Sequence, residues 1–408
     1  MDKDYSNKAL HIVDYAMANE VLRSDSFERA PCGGAKIVLQ NSLTTLNGEL
    51  HQQHRSAALA GFSPQFFGSY QKIRFSTLLR QTIVAFSSNE LIDLVELAKS
   101  VFIHGAADLA GIDVRQNTFQ STSQLINIAD TFWNAATVAH SRNDHDEIEA
   151  EAALALKVFE RFVVGPAIER REMLIGQKRN EFGDKTKLPR DVLTALIQSR
   201  DELQISHTNL VQNMAHFLIF SYMSSVNAAV FALHEILQLQ CQDSVVSQRI
   251  GKNRFLLRCI QESMRLHPTA PVYWGRVMQP TKLSGMPWLK EGDYVVVDIN
   301  KANRDSAVFG KDAADFNPDR CVPAGIARFG LTLGEGAHKC PVRALILSDE
   351  NTVGDEGPIT QQQGLLHVFV EELVNLGVRV DSEHIPKMAA DTERESWEYY
   401  PIQLTLKR

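Results

Sequence analysis

The chain has 408 residues, 44% hydrophobic and 22% charged, with 42 Lys and Arg against 49 Asp and Glu. That is the composition of an ordinary globular protein and excludes collagen-like, coiled-coil and largely disordered chains. The net charge of −7 argues against a nucleic-acid binder, because neutralising phosphates takes an excess of Lys and Arg.

In chain order, Ala9 to Arg23 reads as a short strand and then a helix carrying Ala16, Val21 and Leu22. Leu50 to Phe62 reads as a helix rich in imidazole and positive charge, with His51, His54 and Arg55. Leu91 to Leu109 and Glu149 to Val164 repeat apolar residues at helical spacing. Pro189 to Gln198 is a further short helix, with Pro189 ahead of its first turn. Ser206 is an N-cap for a very long helix running to about Leu239, apolar on nearly every face and so crossing the middle of the molecule. Its most apolar part, Met214 to Leu233, is broken by Ser221, Ser224, Ser225 and Asn227. A membrane span wants about 20 mainly apolar residues, so a buried core helix is the better reading. Arg254 to Leu266 is helical and stops at Pro268. Lys282 to Gly292 followed by Tyr294 to Ile299 reads as a β-hairpin, and Glu398 to Leu406 as a terminal strand pair. No internal repeat or linker interrupts residues 1–408, so a single, mainly α domain with small β-sheets is expected.

The five cysteines, Cys32, Cys241, Cys259, Cys321 and Cys340, are scattered and contain no CxxC pair. An odd, dispersed set fits neither a disulfide framework nor a structural zinc site and suits a reducing compartment. Met1 to Leu10 has no apolar core of the kind a secretory signal needs. A cytoplasmic protein is expected.

The strongest chemical signal is Leu333-Gly-Glu-Gly-Ala-His-Lys-Cys340. Two glycines one residue apart allow a sharp turn and close approach to a flat partner. Cys340 then precedes a helix expected from Pro341, whose N–H groups would lower the thiol pKa. Such a thiolate serves as an axial ligand to haem iron; a structural cysteine beside a glycine turn is the plain alternative. Glu262-Ser-Met-Arg265 places two opposite charges on one helical face, which by itself is an ordinary surface pair. Ala302-Asn-Arg-Asp305 and Phe316-Asn-Pro-Asp-Arg320 by themselves are loop segments of low specificity.

Taken in order, these segments resemble the cytochrome P450 haem-thiolate family, soluble bacterial type. The resemblance starts near His11 and runs to the C-terminus, through Glu90-Leu-Ile-Asp-Leu-Val and Leu188-Pro-Arg-Asp-Val-Leu-Thr-Ala-Leu-Ile. It implies a helix-rich fold holding haem b (iron protoporphyrin IX) between the long central helix and the cysteine loop. By that resemblance Cys340 is the proximal iron ligand, and Glu262, Arg265 and Arg320 form a structural triad. His51, Arg55, Arg276 and His338 stand where the family places haem-propionate partners.

Four departures from the family pattern stand out. In Phe220-Ser-Tyr-Met-Ser-Ser-Val-Asn227, Met223 occupies the place of the usual acid and Ser224 that of the usual alcohol. Methionine relays no proton, whereas Ser224 still donates a hydrogen bond. In the cysteine loop, Leu333 replaces Phe, Val342 replaces Gly, and Lys339 adds a charge. Asp349 to Pro358, acidic and rich in breakers, interrupts what is normally one helix. Its charge opposes docking of an acidic ferredoxin to the positive face of Arg55, Lys339 and Arg343, so a non-standard electron donor is expected. Finally, family chains usually carry a further helix before the first strand.

The expected function is oxidation of a small, aromatic or secondary-metabolite molecule, using dioxygen and electrons from a partner such as a ferredoxin and its reductase. Phe220, Tyr222 and Val272 are expected near the substrate. The altered central helix leaves open oxidative coupling of phenols or arenes, and peroxide-driven or redox-neutral chemistry. A haem-based ligand or redox sensor is the reading from another class.

Overall fold

A computed structural model describes residues 9–30, 34–87, 91–114, 119–180, 188–242, 249–250, 252–348 and 363–405. Strand β1 (Leu10–Ile12) leads into α1 (Tyr15–Arg23), β2 (Phe27–Arg29), α2 (Gly34–Leu39) and α3 (Gly48–Leu59). A helix at Pro64–Ser69 passes through a π-helical turn into α4 (Ser76–Phe86). Then come β3 (Ile92–Asp93), α5 (Leu94–Ala110), α6 (Phe119–Ala136) and α7 (His145–Phe159). A second π-helical turn joins α7 to α8 (Gly165–Asn180), so the expected helix at Glu149 to Val164 is part of a longer helical run. Next are α9 (Val192–Gln198), α10 (His207–Gln242) and α11 (Asn253–Leu266).

The β-rich part holds β4 (Val272–Val277), β5 (Thr281–Lys282), β6 (Trp288–Leu289) and β7 (Tyr294–Asp298). After two one-turn helices, Ile299–Ala302 and Ser306–Phe309, come α12 (Arg343–Ile346) and α13 (Leu365–Asn375), then β8 (Arg379–Val380), β9 (Lys387–Met388), β10 (Trp397–Tyr399) and β11 (Pro401–Gln403).

Helix α10 is about 54 Å long at 1.5 Å per residue. Ser206 caps it, its Oγ accepting from the Asn209 N–H at 3.1 Å. Leu210, Met214, Phe217, Leu218, Val226, Val230 and Leu233 are all buried, so neighbours surround the helix as its all-round apolar character requires. Its apolar window is 83% buried within the protein. It packs along α5 and α11. Side-chain amides on its first turns hold the loop between α2 and α3: Gln212 Oε1 accepts from the Asn41 N–H at 3.1 Å and Asn213 Oδ1 from the Leu43 N–H at 3.0 Å. Behind α5 the rings of Phe75, Phe102 and Phe369 pack with centroids 5.7 and 5.1 Å apart, contacts worth about 0.5–1.5 kcal/mol each beyond their area.

Three sequence expectations change. Tyr294–Asp298 does not close a hairpin with Lys282; it pairs antiparallel with β4 and parallel with β1, in a sheet ordered β1-β7-β4-β2. The hairpin is instead β5 with β6, Thr281 opposite Leu289. The two C-terminal strands do not pair with each other: β10 joins β9, and β11 lies between β3 and β8. The helix expected over Pro189 to Gln198 starts only at Val192, because Asp191 is the N-cap, its Oδ1 2.7 Å from the Thr194 N–H; Pro189 stands ahead of the first turn as expected. The expected insertion Asp349 to Pro358 lies outside the described residues. On either side of it α12 and α13 are separate helices, and a Cβ on Gly364 would stand 2.2 Å from the Ile346 carbonyl oxygen.

His367, 0% exposed in α13, faces Ser348 Oγ from Nδ1 at 3.2 Å, while its Nε2 is buried without a partner. Burial pushes its pKa down to about 4. The unfolded chain therefore takes up this proton first, so the His367 contribution is complete above about pH 6.5 and is lost as pH falls toward 4, by about 3 kcal/mol in all. Unfolding free energies measured between pH 7 and 4 should fall less steeply in His367→Gln than in the parent; parallel curves would refute this.

Candidate active site

A cavity of about 350 Å³ lies between α10, the loop ending in Cys340, the segment Thr269–Trp274 and helix α3. From α10 it takes Phe220, Ser221, Ser224, Ser225 and Ala228. These positions, three or four apart, form one helical stripe. Ser225 is turned back on its own helix, its Oγ donating to the Ser221 carbonyl at 2.7 Å. Tyr222 and Met223 lie off the stripe. The Tyr222 hydroxyl donates to Asp130 at 3.1 Å, and Asp130 pairs with Lys99 at 3.0 Å, so Tyr222 is not a pocket residue. Met223 is buried and does not line the cavity either. Ser224, Phe220 and Val272 do.

Cys340 reaches the cavity through its loop. Gly334 and Gly336 have φ of +67° and +66°, a left-handed turn that favours glycine. A short 3-10 turn, Gly336–His338, follows, and the Cys340 N–H donates to the Leu333 carbonyl at 2.8 Å. The expected helix after Cys340 is only α12, one turn starting at Arg343, so its N-terminal field is slight. Burial instead pushes the Cys340 thiol up, opposed by the Val342 N–H and by Arg55 and Arg343.

Basic groups gather on the same cavity. His51, Arg55 and His338 line it, with the His51 and His338 rings 4.1 Å apart at 33°. Arg276 does not: it is exposed and pairs with Glu28 at 3.3 Å. Its place is taken by Arg29, on the neighbouring strand opposite Gly275. Arg29 donates to Thr44 Oγ1 at 3.1 Å and lies 5.5 Å from the centroid of the Tyr273 ring. His216 also lines the cavity. Arg29 Nε, His51 Nδ1, His216 Nδ1 and Trp274 Nε1 are buried without partners. Burial lowers the Arg29 pKa, and burial with the neighbouring cations pushes His216 and His338 down to about 3. Among the described residues, no Asp or Glu lines the cavity. Arg29, His216, His140 and Arg394 are lining residues absent from the sequence expectations; only the helical stripe pointed to one of them, since His216 stands two turns before Ser224.

Glu262, Arg265 and Arg320 come together outside the cavity. Arg265 grips both carboxylate oxygens of Glu262, at 2.7 and 2.9 Å, and Arg320 Nε reaches Oε1 at 3.1 Å. Glu262 is 3% exposed and Arg265 0%, so the pair is buried and not an ordinary surface contact.

The two loop glycines differ in what surrounds them. A Cβ on Gly336 would stand 2.6 Å from the Leu22 carbonyl oxygen and 2.8 Å from the Arg23 Cα, whereas on Gly334 the nearest atom is 3.4 Å away. Both substitutions meet left-handed backbone strain of about 1–2 kcal/mol, and only Gly336→Ala must also push the loop off α1. Urea unfolding should show a clearly larger loss for Gly336→Ala than for Gly334→Ala; equal losses would sink this account of the loop.

The sequence matches the Cytochrome P450 family profile over residues 3–340. A self-sufficient cytochrome P450 monooxygenase of Penicillium freii, CYP505E4, is 26% identical over 224 residues, covering 50% of this chain and 21% of that protein. Cytochrome P450 714B2 of Oryza sativa subsp. japonica is 23% identical over 243 residues, 56% of this chain and 42% of its own. The chain thus spans less than half the length of these relatives. Among solved structures, P450BioI bound to an acyl carrier protein ligated to hexadec-9Z-enoic acid superposes with a TM-score of 0.71 at 15% identity, over 97% of this chain and 92% of that one. CYP109E1 from Bacillus megaterium in complex with testosterone gives 0.71 at 16% identity, over 98% and 94%. The family profile covers most of the chain and the fold agrees along nearly all of it: the chain belongs to the cytochrome P450 family.

Proposed function

We propose that the chain is a haem-thiolate monooxygenase of a small organic molecule, with haem b bound in the cavity and Cys340 as its proximal ligand. The observation that carries this is the arrangement of one thiol at the glycine loop beside a carboxylate-free cluster of basic groups. The cluster fits a prosthetic group bearing two carboxylates: Arg29, His51, Arg55 and His338 face one cavity, and the buried Arg29 Nε and His51 Nδ1 lack acceptors. Charge-assisted bonds to carboxylates would satisfy them. The glycine loop leaves room for a flat partner above Cys340. When bound, haem supplies dioxygen binding and reductive cleavage of the O–O bond, favoured by an axial thiolate.

The chain's own residues do the rest. The Leu333 carbonyl fixes the Cys340 backbone, and Arg55 and Arg343 favour the thiolate against burial. Ser224 presents a hydroxyl to the cavity and can hold or pass a proton at Oγ. His216, neutral at physiological pH, offers a second polar atom on the same helix. Among the described residues no carboxylate lines the cavity, so hydroxyl and imidazole groups are the proton carriers available there. Phe220 and Trp133, 6.1 Å apart and edge to face, give an apolar wall suited to a flat substrate and exclude water beside it. Electrons come from a partner protein such as a ferredoxin with its reductase. The burial of α10 marks it as a core helix rather than a membrane span.

Haem-loaded parent should give the carbon monoxide spectrum of a thiolate-ligated iron, and Cys340→Ser should lose it; an unchanged spectrum refutes the ligand assignment. Ser224→Ala should form about 100-fold less oxygenated product per electron consumed, the lower end of the range for a lost proton-transfer group, and Ser224→Thr should retain most of it. Under isotopically labelled dioxygen, label in the product establishes oxygen insertion. Ring-joined dimers without label would mean oxidative coupling instead.

A further inference from the structure

We infer that Arg394, assisted by His140, recognises a carboxylate on the substrate, so that the substrate is an organic acid with an apolar body. This rests on the cavity being the substrate pocket of the proposed oxidase. Arg394 belongs to the segment between β9 and β10. The segment is fastened to the turn after α6: the Arg142 N–H donates to the Asp391 carbonyl at 2.8 Å, and the Glu393 N–H to the His140 carbonyl at 2.8 Å. Its base is closed by the Ala389 N–H donating to the Ser396 carbonyl at 2.9 Å. Arg394 therefore enters the cavity from a held backbone.

The guanidinium lies 4.5 Å from the centroid of the Trp133 ring, and Nη2 donates to the Thr269 carbonyl. No carboxylate pairs with it among the described residues. The acids on either side in the chain are engaged or turned outward: Glu395 accepts from His267 Nδ1 at 2.8 Å, and Glu393 is exposed. Burial lowers the Arg394 pKa to about 10, which leaves it charged at neutral pH. Arg394 is half-buried, and its guanidinium has a carbonyl and a ring as partners but no carboxylate among the described residues, so an anionic group on the substrate would complete it.

This cation is separate from the cluster assigned to haem. Arg29, His51, Arg55 and His338 all act on His216, whereas Arg394 and the exposed Glu393 act on His140. Both Arg394 and His140 line the cavity, with Trp133, Phe220 and Thr137 beside them. A guanidinium fork with one further donor matches a carboxylate, and the aromatic wall matches an apolar body.

The test is calorimetric binding to haem-loaded protein of dodecanoic acid and 4-phenylbutanoic acid, each against its primary amide. The parent should bind at least one acid about 10- to 100-fold more tightly than its amide, the range of one charge-assisted pair. Arg394→Met should lose that preference while holding the amide as the parent does, and Arg394→Lys should restore part of it. Equal affinity of acid and amide for the parent, no binding of either acid, or a preference surviving in Arg394→Met overturns the inference. Failure of the oxidase reading shows separately, as a missing thiolate-type carbon monoxide spectrum in protein that still prefers acids.

Discussion

The Glu262 carboxylate is nearly inaccessible to water, yet it receives N–H groups from Arg265, Arg320 and the backbone of Asn317, the last at 3.1 Å. Around it the chain from Asn303 to Thr332 folds mostly without helix or strand, so its carbonyls need donors from elsewhere. The two guanidiniums supply them. Arg265 reaches the carbonyls of Asn303 and Ala313 at 2.6 and 2.7 Å, and Arg320 those of Asp312 and Asp315 at 2.7 and 2.9 Å. Only arginine carries five donors in a fixed fork. Taking one partner away from such a buried set typically costs about 3–5 kcal/mol, because the others are left uncompensated.

From there the restraint runs to the thiol. Asn303 donates to the Arg265 carbonyl at 3.0 Å and accepts from the Leu331 N–H at 2.8 Å. Thr332 Oγ1 donates to the Met264 carbonyl at 2.7 Å, and the next residue, Leu333, accepts from the Cys340 N–H. A Cβ on Gly330 would stand 2.2 Å from Asn303 Oδ1, so glycine there lets the amide seat the loop. Asp305 ties the same region to α1, its Oδ2 accepting from the Tyr15 N–H at 3.1 Å. The position of one sulfur is thus set by polar contacts between segments far apart in sequence.

What the sequence disclosed follows from the range of each signal. Glu262 with Arg265 and the glycine-cysteine loop are local patterns, legible because the residues that meet are close in the chain. The long helix was legible too, from its cap and its unbroken apolar character. Tyr222, two residues from Phe220, faces away from it on a helix, whereas Met223, three residues on, has the spacing of a pocket position and still lies off the stripe through Phe220, Ser224 and Ala228. Arg276 and Arg29 could not be sorted this way. They sit on adjacent strands, and which one turns inward depends on the register of β2 against β4, a long-range pairing with no local mark. Arg394 was hidden for the same reason, since the segment carrying it is placed by backbone bonds to residues some 250 positions earlier. The expected thiol pKa failed through energetics: one turn of helix offers little field, and burial outweighs it.

The end of α11 organises both sides of the cavity. Arg265 works toward the cysteine loop. Two residues on, His267 places Nε2 2.8 Å from Glu235 of α10 and Nδ1 2.8 Å from Glu395, and stacks on Phe231 at 4.2 Å. The two glutamates raise the His267 pKa against the effect of burial, so the imidazole favours its charged form and bridges two acids. Glu395 is the neighbour of Arg394, and its engagement with His267 keeps it from neutralising that guanidinium. One and a half turns of a single helix therefore fix the loop bearing the thiol through a buried carboxylate and the segment bearing Arg394 through a bridging imidazole. The wall between them needs only to be apolar, which the stripe of α10 and Trp133 supplies, and the positions of the two reactive ends need not be adjusted independently.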